Sequence, residues 1–214
     1  MLNSTARTDP AFLSAAGFRD LAAERLASVP LEPSGDHEFN PDFREWVIER
    51  AVRPAAVLIP VVDRGKALNI VLTKRLDSLR THSGQIAFPG GRVDDTDVSV
   101  EAAALREAHE EVALEPGRVE VLGRLPDYYT GSGFRIAPVV ALIDPRAPMT
   151  ANPLEVDYVF EAPLAFLMDP ANHRKSSRQF QGRERFFFEM PYGDHYIWGV
   201  TAGILKVMHD RLFA

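Results

Sequence analysis

Residues 84–114 read GQIAFPGGRVDDTDVSVEAAALREAHEEVAL, and this stretch decides the fold. Its second half, Ser99 to Ala113, is rich in Ala and Glu and predicts a helix with Ser99 as N-cap. Glu107, Glu110 and Glu111 stand at i, i+3 and i+4, so they share one face. Leu105, Ala108 and Val112 fall on the opposite side, where they can pack on a sheet. The carboxylates occupy the last turns of the helix, where the macrodipole disfavours negative charge. The Glu107–Glu111 pair adds a repulsion of about a few tenths of a kcal/mol. A divalent cation would relieve both costs, and three carboxylates without a cysteine form a hard oxygen set suited to Mg²⁺ or Mn²⁺ rather than zinc. A solvated acidic face is the competing reading of the three glutamates taken alone. The loop ahead of the helix, Phe88-Pro89-Gly90-Gly91, can bring bare backbone against a ligand or metal, because glycine has no side chain to obstruct it.

Outward from this segment the hydrophobic period changes. Upstream, Ala55–Val62 and Leu68–Thr73 are apolar runs around a turn at Asp63-Arg64-Gly65, and Gln85–Phe88 is a third short strand. Downstream, strands are predicted at 118–125, 134–143 and 156–160, with a helical turn at 163–168. A hairpin follows over 178–190 and 194–198, turning at Tyr192-Gly193-Asp194, and a terminal helix runs from Thr201 to Leu212. Mixed strands with a central and a terminal helix predict an α/β sandwich, residues 51–214. Residues 1–50 read as an N-terminal helical extension. It has an amphipathic helix over 10–28 stopping at Ser28-Val29-Pro30, linker chemistry over 31–41, and a short helix from Pro41 to Ala51 carrying Phe43, Trp46 and Val47.

Composition narrows the function. The chain of 214 residues has ordinary globular usage and no cysteine, which excludes disulfides, thiolate metal sites and cysteine nucleophiles. A net charge of −6 argues against nucleic-acid binding, and an anionic ligand would need local arginines or bridging cations. There is no apolar run of membrane-spanning length and no basic-then-apolar leader, so a cytoplasmic protein is expected.

The segment also resembles the signature of the Nudix hydrolases, G-x5-E-x7-R-E-U-x-E-E-x-G-U with U apolar. Gly91 matches the first glycine, Arg106-Glu107 the R-E pair, Ala108 the apolar position, Glu110-Glu111 the E-E pair and Leu114 the last position. Three departures stand out. Asp97 replaces the usual glutamate, eight residues rather than seven separate it from Arg106, and Ala113 replaces the final glycine. The role of Asp97 is left open, and the helix is expected to run on through Ala113. Leu72-Thr73-Lys74-Arg75, Arg80, Gly84 and Phe88-Pro89-Gly90-Gly91 further resemble the motif that coenzyme A pyrophosphatases carry ahead of the signature, L-L-T-x-R-S-x3-R-x3-G-x3-F-P-G-G. Val71 and Leu76 are the differences. Residues 133–140 and 197–205 are similar to that branch too.

The resemblance implies a mixed-sheet α/β/α sandwich and cleavage of a pyrophosphate with Mg²⁺ or Mn²⁺. It implies metal ligation by Glu107, Glu110 and Glu111 with the Gly90 carbonyl, and orientation of those carboxylates by Arg106. Contacts to substrate are implied for Arg75, Arg80, Gly90 and Gly91. Coenzyme A or an acyl-coenzyme A is the implied substrate of a monomer or homodimer. ADP-ribose, NADH or a dinucleotide is the alternative, as is a Nudix-fold binding module without catalysis. Arg75 and Arg80 read equally well as surface ion-pair residues. Glu155 reads as a solvated loop acid before an additional ligand or base. His82 is a candidate substrate contact, whereas His109 and His195 read as bystanders. Phe186, Phe187 and Phe188 read as strand core or interface, and Tyr128 and Tyr129 as core or as stacking partners for a base.

Overall fold

The computed structural model describes residues 9–10, 13–27, 32–78, 82–180 and 182–214. Helix α1 (Ala15–Leu26) begins where the Ser14 hydroxyl accepts a hydrogen bond from the Gly17 amide, and it buries Phe18, Leu21, Ala22 and Leu26. Phe12 and the expected stop at Ser28-Val29-Pro30 lie outside the described residues.

The stretch read as linker is not one. Strand β1 (Ser34–Gly35) pairs in parallel with Tyr128 and Tyr129, and helix α2 (Asp36–Phe39) follows it directly. The reason is long-range. Both carboxylate oxygens of Asp36 are used, one accepting from the Tyr128 hydroxyl at 3.0 Å and the other from the Gly131 amide at 2.7 Å. Gly35 is required there, since a Cβ would sit 2.2 Å from the Tyr129 carbonyl oxygen. A 3-10 turn at Pro41–Phe43 leads into helix α3 (Arg44–Arg50), where Val47 is buried.

Strand β2 (Arg53–Asp63) is central. It is antiparallel to β3 (Leu68–Arg75), which also carries the short strand β4 (Ile86–Ala87). Strand β5 (Gly90–Arg92) pairs with the start of β2, and helix α4 (Val100–Val112) follows. Strands β6 (Val119–Arg124) and β7 (Tyr128–Tyr129) pair along one edge of β8 (Phe134–Ile143), whose other edge runs parallel to β2. Strand β9 (Val156–Pro163) closes onto β3 and ends in helix α5 (Leu164–Leu167). A separate antiparallel sheet holds β10 (Arg174–Phe180), β11 (Arg183–Tyr192) and β12 (His195–Trp198), after which helix α6 (Val200–Leu212) ends the fold. The single strand expected over 178–190 is therefore two, divided at Gly182, whose φ of +75° turns the chain.

Strand β2 reads as a continuous apolar run because both of its faces are covered. Ile59 and Val61 join Ile70, Leu72 and the buried sides of α1 and α6 in one core. Leu58 and Val62 join Val71 and the Ala103, Ala104, Ala108 and Val112 face of α4 in the other. The result is the expected α/β/α sandwich. Burial of each large side chain such as Leu205 or Met208 contributes about 1.5–3 kcal/mol. No helix among the described residues is long and apolar enough to cross a membrane.

Candidate active site

Helix α4 is held at both ends. The Ser99 hydroxyl accepts from the Ala102 amide at 3.1 Å, as its N-cap position predicts. At the other end the helix does not continue through Ala113. It stops at Val112, and Ala113 takes a left-handed conformation with φ of 54°. Leu114 must turn back to bury itself in the core, and a left-handed residue at this point allows it. Alanine bears a steric cost that glycine would not.

Cap and core together set the carboxylate face against the Gly90–Gly91 backbone. Glu111 is the most buried, its side chain only 3 % exposed. One oxygen accepts from the Gly90 amide at 3.1 Å and the other from Arg75 Nη1 at 3.0 Å. Burial still dominates and pushes its carboxyl up to about 7, with the neighbouring Glu107 and Glu155 charges acting in the same direction. Glu107 lies flush against Gly91, where a Cβ would come within 2.5 Å of its carboxylate. Its carboxyl is also raised, chiefly by burial. Glu110 is on the open side, about half exposed.

Arg106 binds this group together. Its Nε and Nη2 fork onto the two oxygens of Asp97 at 3.0 and 2.9 Å, and Nη2 also donates to the Arg92 carbonyl at 3.0 Å. Its Nη1 donates to Glu107 at 3.1 Å and to Glu110 at 3.0 Å. All five guanidinium donors are thus used. The open question about Asp97 has a structural answer. Its side chain is 6 % exposed, it accepts the Asp94 amide at 2.8 Å, and Arg106 holds its carboxyl below the usual range. Despite the shifted spacing, the loop folds so that Asp97 reaches the arginine.

Among the described residues, no three His, Asp or Glu side chains form a ready-made ligand set. The donor chemistry nevertheless fits a divalent cation. The buried Glu111 and the half-buried Glu107, from adjacent turns, face the same glycine backbone, and both bind protons more tightly than an isolated carboxylate because the present cations, Arg75 and Arg106, compensate burial only in part. Glu110 would join them by releasing Arg106.

The remaining candidates separate clearly. Arg75 is in the site, with its Nε buried and unbonded, whereas Arg80 lies outside the described residues. Glu155 is exposed, yet its charge reaches both Glu107 and Glu111. His82 bonds Gln85 at 2.9 Å and lines the adjoining cavity. His109 is exposed beside Glu115, and His195 stacks on Phe160 with ring centroids 3.8 Å apart. Tyr128 is buried on Asp36, which removes it as a stacking partner, and Tyr129 meets the edge of His37. Phe188 packs on Phe39, while Phe186 and Phe187 line the cavity.

That cavity, about 610 Å³, opens from Arg75, Gly90 and Gly91 and is within the range of small-molecule sites. Its other walls hold residues that sequence reasoning passed over: Asp36, Asn40 and Trp46 from the N-terminal segment, and Arg178, Arg185 and Trp198 from the second sheet. A signal was present in the basic run of Arg174, Lys175, Arg178, Arg183 and Arg185 within an otherwise acidic chain.

Comparison with known proteins agrees with this geometry. The NUDIX domain model matches residues 52–187. The uncharacterized Nudix hydrolase NudL of Escherichia coli O7:K1 is 46 % identical over 154 residues, covering 72 % of this chain and 80 % of the relative, and NudL of Cronobacter sakazakii matches to the same extent. Among solved structures, a Caenorhabditis elegans Ap4A hydrolase binary complex aligns at 19 % identity over 53 % of this chain and 81 % of that one, with a TM-score of 0.45. The NUDIX domain of Shewanella oneidensis NrtR complexed with ADP ribose aligns at 22 %, over 53 % and 73 %, with a TM-score of 0.42. The matched domain spans the carboxylate helix, the glycine loop and most of the cavity, so the chain belongs to the Nudix hydrolase family, whose members act on nucleoside diphosphate derivatives.

Proposed function

We propose that this enzyme hydrolyses the pyrophosphate of coenzyme A or an acyl-coenzyme A, giving 4′-phosphopantetheine or its acyl form and adenosine 3′,5′-bisphosphate. The supporting observation is the position of Arg75. The residue that carries the upstream coenzyme A motif bonds the buried Glu111 and lines the same cavity as Gly90 and Gly91. The motif and the catalytic helix therefore meet at one point.

Glu107, Glu110 and Glu111, with the Gly90 carbonyl, are the groups that would hold Mg²⁺ or Mn²⁺. Bound there, the ion would supply charge neutralisation for the pyrophosphate oxygens and a lowered pKa for water. The chain supplies the rest. Arg106 fixes the rotamer of Glu107 before substrate arrives, so little reorganisation of that carboxylate remains at the moment of reaction, whereas Glu110 turns from Arg106 to complete the set. Arg75 offers its unused donors to a substrate phosphate. Water oxygen bonds to phosphorus, the bridging P–O bond breaks, and a carboxylate accepts the water proton. Assay of coenzyme A, ADP-ribose, NADH and diadenosine polyphosphates with and without Mg²⁺ tests the proposal. Preferential turnover of ADP-ribose over coenzyme A would reject the substrate assignment.

A further inference from the structure

The second sheet places two cations where a sheet alone would avoid them. Arg178 and Arg185 are direct cross-strand partners on β10 and β11, and both line the cavity. Like charges facing each other across strands destabilise a sheet. Among the described residues, neither guanidinium is hydrogen-bonded to a carboxylate, and Arg185 Nε is buried without any partner. Asp36 acts on Arg185 only through its charge, since its own oxygens are committed to Tyr128 and Gly131. Arg106 shows the contrast, because it has every donor satisfied.

Aromatic rings hold both arginines in place. The Arg185 guanidinium lies 3.6 Å from the Phe43 ring centroid and 4.8 Å from that of Trp46. Arg178 lies 4.8 Å from that of Trp198. Rings orient a guanidinium without consuming its in-plane donors, which stay free for a phosphate. The site is also built from three parts of the chain, since Asn40 grips the Phe186 backbone with both its amide groups, at 2.8 and 3.0 Å.

From the opposed, aromatic-seated and unpaired arginines of this wall we infer a second anion subsite, in which Arg178 and Arg185 bind a phosphate monoester of the substrate distinct from the pyrophosphate cleaved beside Gly90. The inference rests on the cavity being the substrate pocket proposed above. In coenzyme A the group read would be the phosphate on the ribose 3′ oxygen.

Kinetics with coenzyme A and with the same molecule lacking that phosphate, dephospho-coenzyme A, test it. The wild type should favour coenzyme A by roughly tenfold or more in kcat/KM, and the preference should reside in KM. In Arg178→Gln, and more so in Arg178→Gln/Arg185→Gln, the ratio should fall to within about twofold. Arg178 is exposed, so its single variant guards against misfolding. A preference that survives in both variants overturns the subsite, as does a loss confined to kcat. Calorimetric binding of adenosine 3′,5′-bisphosphate against adenosine 5′-monophosphate separates the two proposals. Tighter binding of the bisphosphate that Arg178→Gln abolishes supports the subsite even if coenzyme A is not turned over. Equal affinities in the wild type overturn it whatever the enzyme hydrolyses.

Discussion

Two groups of arginine in the molecule stand in opposite states. Arg106 is saturated, with all five donors spent on Asp97, Glu107, Glu110 and a carbonyl. Arg178 and Arg185 are bonded to no carboxylate among the described residues and are held by rings instead. An arginine whose partners are internal sets geometry, whereas one seated on aromatics keeps its donors for an incoming anion. The same residue type thus serves architecture in one place and recognition in another, and the count of filled donors tells them apart.

The largest effect is expected at the carboxylates that Arg106 organises. Glu110→Gln or Glu111→Gln should lower kcat by on the order of a hundredfold or more, and excess chelator should abolish turnover until Mg²⁺ or Mn²⁺ is restored. Near-normal kcat in both variants would return these side chains to a solvated face. Replacing Arg106 itself is next. Arg106→Lys cannot reproduce the fork and leaves Asp97 short of a partner, so kcat should fall and stability should drop by about 1–3 kcal/mol in denaturant melts. A fall in activity with unchanged stability would mean that the Asp97 pair is dispensable to the fold.

Arg75 stands between the two states, with Nη1 on Glu111 and Nε unbonded. Arg75→Ala should raise KM for coenzyme A more than it lowers kcat. The reverse pattern would place Arg75 with Arg106 as an organiser of carboxylates. The smallest effect is expected away from both groups. Ala113→Gly should relieve the left-handed strain at the end of α4, raising stability by about 1 kcal/mol and Tm by about 2–4 °C, with kcat little changed. An unmoved Tm would show that the backbone has relaxed the strain elsewhere.

Local order was the legible part of the sequence. The Ser99 cap, the shared face of Glu107, Glu110 and Glu111, and the apolar runs of β2 and β8 are written in spacings shorter than a dozen residues, and the structure follows them. What was hidden depends on distant partners. Ser34, Asp36 and Asn40 look like linker residues until Tyr128, Gly131 and Phe186 supply their contacts. Asp97 looked displaced because spacing counts residues, while the loop sets its reach to Arg106. Arg178 and Arg185 were unreadable as a pair because their opposition exists only once β10 and β11 are in register.

The Asn40 clamp also sets a schedule. Its carboxamide imitates a strand edge for Phe186, a residue 146 positions further along the chain. During synthesis at roughly 5–20 residues per second, the clamp has no partner for on the order of ten to thirty seconds. The first segment of the pocket wall to leave the ribosome therefore keeps its clamp open until β11 emerges.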